Sequence, residues 1–185
     1  MPVNLPNIIT IFRILLVPLA IWLIVSKAFG VAFLVFVLAG VSDAIDGFVA
    51  RHYKLQSELG AYLDPIADKA LLVSIYLSLA ILKFIPVWLT ILVVTRDVLI
   101  VSAVMLAWLM DKPVAMKPLW ISKVNTTGQI MFAAVVLAGL GLGWDLSGFL
   151  VAGTIAVAAL TVLSGAFYMR DWVRHMGEDS KETDA

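Results

Sequence analysis

Nearly the whole chain is built of apolar runs long enough to cross a lipid bilayer, and no other feature restricts its fold as much. Crossing a bilayer takes about 20 residues of α-helix. Runs of that length or close to it cover residues 7–26, 29–52, 60–83, 86–110, 124–142 and 146–172. Between them lie turn and polar signals: Lys27-Ala28-Phe29-Gly30, the stretch from Arg51 to Glu58, Pro86, Asp111-Lys112-Pro113, and the glycines at 139, 141 and 143. Pro86 suits a helix start, where a missing backbone donor costs little. Lipid offers backbone groups no hydrogen bonds, so each run must satisfy its own as a helix. The expected fold is an all-α integral membrane protein with six transmembrane helices. One catalytic domain would cover residues 1–175, and a polar tail at 176–185 is expected to be disordered.

Composition agrees. Of 185 residues, 62% are hydrophobic and 14% charged, against about 45–50% and about 25% in a soluble domain. The formal net charge is zero, and no basic stripe suggests nucleic acid. Without cysteine there is neither disulfide nor thiol chemistry. The first run contains Arg13, has no basic region before it and leads to no small-residue cleavage site, so it reads as a helix and not as a signal peptide. With both termini on one side, that side holds Arg51, Lys54, Lys112, Lys117, Lys123, Arg170, Arg174 and Lys181, and the other holds Lys27 and Lys83. The bias places both termini in the cytoplasm. The N-terminus lacks transit-peptide character, so a bacterial inner membrane is expected ahead of a mitochondrial one. Small residues crowd the last two runs, among them Gly128, Ala133, Gly139, Gly148, Gly153, Ser164 and Gly165. They suit close helix packing in lipid.

One stretch is out of place in such a chain. Asp43, Asp46, Glu58, Asp64 and Asp68 stand at the end of the second run and the start of the third. Carboxylates at membrane depth are costly without a partner or water. The first two Asp are spaced i, i+3 and the last two i, i+4, so each pair shares a helix face. A short link would make the two helices antiparallel neighbours and let the four carboxylates converge. Together they can ionise only around cations, and an all-oxygen set favours Mg²⁺ or Mn²⁺. Two such ions would clamp a pyrophosphate for displacement at phosphorus. Gly47, Ala50 and Gly60 leave room for a phosphorylated group to approach the backbone, and Arg51 offers it a fork. Two other readings use the same carboxylates: ion pairs with Arg51, Lys69 or Arg96, and a cation pathway in a transporter. The halves show no inverted repeat, which counts against transport.

The pattern Asp43-x2-Asp46-Gly47-x2-Ala50-Arg51-x8-Gly60-x3-Asp64-x3-Asp68 resembles the signature of the CDP-alcohol phosphatidyltransferases. The hydrophobic layout is similar over nearly the whole chain. The resemblance implies a six-helix homodimer in which an alcohol displaces CMP from a CDP-linked donor. It implies that Asp43, Asp46, Asp64 and Asp68 hold two divalent metals and that Asp68 is also the catalytic base. Gly47, Ala50, Arg51 and Gly60 would line the pocket for CDP-diacylglycerol, joined by Asn7 and Thr10. Arg13, on the same first helix, would serve the acceptor.

Two branches of that family differ in acceptor: one takes glycerol-3-phosphate, the other phosphatidylglycerol, giving cardiolipin. Thr95-Arg96-Asp97-Val98 and Ser122-Lys123-Val124-Asn125-Thr126 resemble the second branch, with Asn125 where the first carries Lys. A phosphomonoester brings about −1.5 to −2 charges and wants several cations, whereas phosphatidylglycerol is a diester with one charge. Arg96, Lys123, Asn125 and Arg13 are the expected contacts to the acceptor phosphate. The plainer alternatives are a local Arg96–Asp97 ion pair and Lys123 as a membrane-surface anchor.

Overall fold

The computed structural model describes the backbone of residues 5–53, 58–109 and 120–182, and the side chains of 12–42, 69–102 and 120–170. It is all helical over that range. The elements are α1 (Leu5–Val25), α2 (Phe29–Tyr53), α3 (Glu58–Ile81), α4 (Val87–Leu109), α5 (Trp120–Leu142) and α6 (Ser147–Glu182). Boundaries agree with the apolar runs to within a few residues, with two differences. α5 begins at Trp120, a turn before its apolar stretch, and α6 continues to Glu182, through polar residues expected to be disordered. A helix satisfies its own backbone whatever its side chains, so loss of apolar character does not by itself end one.

The six helices close into a ring. α1 packs on α2 and α3, α3 on α4, α4 on α6, α6 on α5, and α5 on α2; α3 and α5 also meet across the middle. The expected direct pairing of α2 with α3 does not occur among the described residues, where α1 and α5 flank α2 instead. The carboxylate-bearing ends of both helices have their side chains outside the described residues.

The interior is largely apolar, but the outer surface is apolar as well. Large apolar groups face outward on every helix, including Trp22, Leu38, Ile81, Ile91, Met131 and Val151. The interior holds Arg13, Arg96, Asp97, Asn125, Gln129, Thr161 and Ser164 beside its apolar core of Ile24, Ile75, Leu89, Val93, Val136 and Leu137. Among the described residues, two stretches are long and apolar enough to cross a membrane by themselves, Trp120–Leu142 and Ser147–Arg170.

Three turns share one C-terminal cap. After α1, Ala28 N–H donates to Leu23 O at 2.9 Å and Lys27 N–H to Ile24 O at 3.0 Å. After α3, Phe84 N–H donates to Leu79 O and Lys83 N–H to Ala80 O; after α5, Trp144 N–H donates to Gly139 O. These six-to-one and five-to-two bonds are Schellman caps, which need a left-handed residue at C′. Gly143 supplies it at φ 70°, but Lys27 (φ 60°) and Lys83 (φ 64°) also adopt it. A side chain there costs about 1–2 kcal/mol. A cation beside a helix C-terminus recovers part of that. At the start of α6, Asp145 Oδ1 accepts Ser147 N–H at 3.0 Å, an N-cap that holds the Asp145 carboxyl below its usual pKa.

The small residues do not act alike. A Cβ on Gly141 would fall 2.6 Å from Gly30 N, one on Gly153 2.6 Å from the Phe132 ring, and one on Gly139 2.5 Å from Leu146. Gly148 and Gly165 have nothing within 4 Å. Gly141→Ala should therefore force α5 from the start of α2 and destabilise the bundle by about 1–3 kcal/mol. Gly30→Ala, whose Cβ meets only Gly141 Cα at 4.0 Å, should be neutral or better; thermal unfolding of both variants in detergent checks the asymmetry. Acid should loosen the α6 cap in the stated direction. Asp145 stabilises the fold above its unfolded pKa, and that contribution disappears as pH falls through its lowered folded value. Unfolding of Asp145→Ala should show a flatter acid dependence than the parent.

Candidate active site

All ten residues assigned to the metals and the CDP-linked donor are carried on helix. Asn7 and Thr10 lie in α1; Asp43, Asp46, Gly47, Ala50 and Arg51 lie in α2; Gly60, Asp64 and Asp68 lie in α3. Their side chains lie outside the described residues. Unbroken helix through both Asp pairs preserves the i, i+3 and i, i+4 spacing that puts each pair on one face. Carboxylate oxygen is the donor set that hard divalent cations prefer. Among the described residues no group of three or more His, Asp or Glu could hold a metal ion.

Lys69 follows Asp68 on α3. Lys69 Nζ donates to Asp97 Oδ2 at 2.7 Å, and Arg96 Nη1 donates to Asp97 Oδ1 at 2.8 Å. Arg96 Nη2 reaches Ser122 Oγ of α5 at 2.5 Å and Ser164 Oγ of α6 at 2.6 Å. Arg96 and Asp97 are only 5% and 3% exposed. Four helices are thus joined through one guanidinium and one carboxylate. The local Arg96–Asp97 pair anticipated from sequence is present. Lys69, a possible partner for the acidic cluster, is bound to Asp97.

The remaining expected acceptor contacts are placed differently from one another. Arg13 is buried, 3% exposed, on α1. Lys123 is exposed near the start of α5. Asn125 is fully buried, with its Oδ1 3.0 Å from Thr161 Oγ1. That hydroxyl also lies 2.7 Å from Val157 O and receives Gln129 Nε2 at 3.3 Å. It has one proton, so it serves Val157 or Asn125, not both. Tyr76 of α3 extends the polar line by donating to Gln129 O at 3.0 Å. Sequence reasoning did not single out Gln129, Thr161 or Tyr76, and it took Ser122 only as part of a motif and Ser164 only as a small packing residue. A signal was present, because Ser122, Asn125 and Gln129 share one face of α5, and Thr161 and Ser164 one face of α6.

Beside this network α4 and α6 separate to leave a groove of about 610 Å³. Leu92, Leu99, Ile100, Val162, Ala166 and Met169 give it apolar walls, and Arg96 and Tyr168 interrupt them. Its volume is within the usual range of small-molecule sites.

Comparison with known proteins bears on this geometry. The sequence profile of a family described as CDP-alcohol phosphatidyltransferase matches residues 3–165. A protein of Rattus norvegicus named cardiolipin synthase (CMP-forming) is 39% identical over 153 residues, 74% of this chain and 51% of the relative. A Mycobacterium tuberculosis protein named probable phosphatidylglycerophosphate synthase is 35% identical over 184 residues, 94% of this chain and 84% of the relative. An Escherichia coli protein named CDP-diacylglycerol–glycerol-3-phosphate 3-phosphatidyltransferase is 34% identical over 145 residues, 74% and 78%. The chain spans about half the length of the mammalian relatives it matches.

The ion cluster yields a direct prediction. Asp97→Ala leaves Arg96 and Lys69 facing each other without their shared acceptor, and a broken buried ion pair costs about 3–5 kcal/mol. The unfolding midpoint in detergent should fall sharply; an unchanged midpoint would show that Asp97 does not hold the four helices together.

Proposed function

Because the chain belongs to the CDP-alcohol phosphatidyltransferase family, we propose that it transfers the phosphatidyl group of CDP-diacylglycerol to phosphatidylglycerol, forming cardiolipin and CMP. Its motif for the CDP-linked donor is the Asp43–Asp68 pattern of α2 and α3. Asp43, Asp46, Asp64 and Asp68 would hold two Mg²⁺ or Mn²⁺ ions, which when bound neutralise the pyrophosphate and stabilise charge on the leaving group. Gly47, Ala50 and Gly60 admit the nucleotide close to the backbone, with Arg51 donating to phosphate and Asn7 and Thr10 joining from α1. Asp68 takes the proton of the acceptor hydroxyl. The hydroxyl oxygen bonds to the phosphorus that carries diacylglycerol, and the bond from that phosphorus to the CMP oxygen breaks.

The choice of acceptor rests on one observation. Asp97 lies 2.7 Å from Lys69 and 2.8 Å from Arg96, so these three groups present a net charge of only one. That balance suits a diester with one negative charge better than a phosphomonoester of about −1.5 to −2. Asn125, buried and neutral, adds no cation. Identity to proteins named cardiolipin synthase supports the same branch. Transfer to glycerol-3-phosphate is the second reading, favoured by the longer match to the Mycobacterium tuberculosis relative.

In this reading all six helices cross the membrane. The outward-facing tryptophan, leucine and isoleucine side chains meet lipid, and both termini lie on the cytoplasmic side of a bacterial inner membrane. The working unit is a homodimer.

Purified protein with CDP-diacylglycerol and Mg²⁺ or Mn²⁺ should release CMP when given phosphatidylglycerol. Release with glycerol-3-phosphate alone would move the chain to the other branch. A chelator should stop the reaction reversibly, and Asp68→Asn should abolish turnover while retaining much of the CDP-diacylglycerol binding.

A further inference from the structure

We propose that the groove between α4 and α6 seats one acyl chain of the acceptor phospholipid, with Arg96 at its wall turning its Nε–H to an acceptor phosphate oxygen when the lipid binds. This rests on the reading above that the acceptor is a diacyl lipid. Three observations carry it. Arg96 forms part of the groove wall, and its guanidinium is satisfied at both Nη atoms, by Asp97, Ser122 and Ser164. Its Nε–H is buried and has no acceptor among the described residues. A buried donor left unmade costs about 1–3 kcal/mol, and a lipid phosphate or ester oxygen is the acceptor a membrane supplies. The rest of the wall is mostly apolar, interrupted by the hydroxyls of Thr95, Ser102, Thr161 and Tyr168, and it runs from Leu92 to Ser102 along α4, about 15 Å at 1.5 Å per residue. One cation beside an extended apolar slot matches a phospholipid, with its charged head and long tail.

Placement separates this chain from those of the donor. The donor motif is on α2 and α3, and α2 meets neither α4 nor α6 among the described residues. The groove lies across the ring from α2 and beside α3, where Lys69, one residue beyond Asp68, is bound to Asp97, the neighbour of Arg96. An acceptor held there can bring its hydroxyl toward the base from the side away from the nucleotide. A glycerol-3-phosphate acceptor has no use for the slot. A second opening of the same seam, near Lys83, Trp88 and Thr154, lies more than two turns from Arg96 along α4 and has no such link.

Gly165 makes the test clean. It lines the groove, and nothing lies within 4 Å of where its Cβ would be. Gly165→Leu therefore narrows the slot without forcing helices apart. Leu99→Trp narrows it from the α4 wall and serves if the first variant folds poorly. CMP release is measured in mixed micelles with dioleoyl and dihexanoyl phosphatidylglycerol. A lipid tail leaves one apolar medium for another, so the defect is steric. The kcat/KM ratio of the long-chain over the short-chain acceptor should fall about tenfold, with KM for CDP-diacylglycerol unmoved. An unchanged ratio in both variants overturns the proposal. So does a rise in KM for CDP-diacylglycerol, which would give the groove to the donor, or a loss of dimer mass, which would make it a subunit seam. Parent protein that uses glycerol-3-phosphate and ignores both phosphatidylglycerols would refute the acceptor reading itself, before any variant is compared.

Discussion

Asp97 is the point on which the described bundle depends. Two cations from different helices converge on its carboxylate, and one of them, Arg96, goes on to bind the hydroxyls of Ser122 and Ser164. In an apolar surround each of these charges would be costly alone. Together they satisfy one another and fix α3, α4, α5 and α6 in rotation and axial register. If the bundle lies in lipid, as proposed, apolar contacts could not do this, since a leucine gains little by exchanging a lipid tail for another leucine.

A second polar line runs through the centre, from Tyr76 through Gln129 and Thr161 to Asn125. Unlike the ion cluster, it is incompletely paired. Asn125 Nδ2 and Gln129 Oε1 are buried without a partner among the described residues. They stand four residues apart on α5, one a donor and the other an acceptor. This line is neutral, and its members specify which faces of α5 and α6 meet. The ion cluster contributes strength; the amides and hydroxyls contribute uniqueness.

What could be read from sequence follows from the range of the interaction behind it. The apolar runs gave six helices because the backbone constraint in lipid is local. Arg96 and Asp97 are sequence neighbours, and their pairing was legible for that reason. Ser122 and Ser164 were not, because a serine looks the same whether it packs, caps or receives a guanidinium 68 residues away in the chain. The small residues divide similarly: Gly139, Gly141 and Gly153 are demanded by a neighbour, whereas Gly148 and Gly165 are not, and only tertiary structure separates the two groups. Lys27 and Lys83 were read as topology markers, yet they also occupy the left-handed cap position normally left to glycine. The carboxylate motif was the most specific signal in the sequence. The described helices add to it an unbroken backbone through both Asp pairs.

In the proposed function, fold stability and acceptor choice are coupled through the same carboxylate. Removing the Asp97 charge would leave two cations near Asp68, a field better suited to a phosphomonoester. It would also take away the acceptor that joins four helices. A chain built on this cluster therefore cannot drift toward a more highly charged acceptor by changing Asp97 alone. It would first need another anion for Lys69, or a shorter and neutral residue in its place. Neutrality at Asn125 and the pairing at Asp97 are thus parts of one arrangement. Within it the charge left for the acceptor is what remains after the fold has been held together.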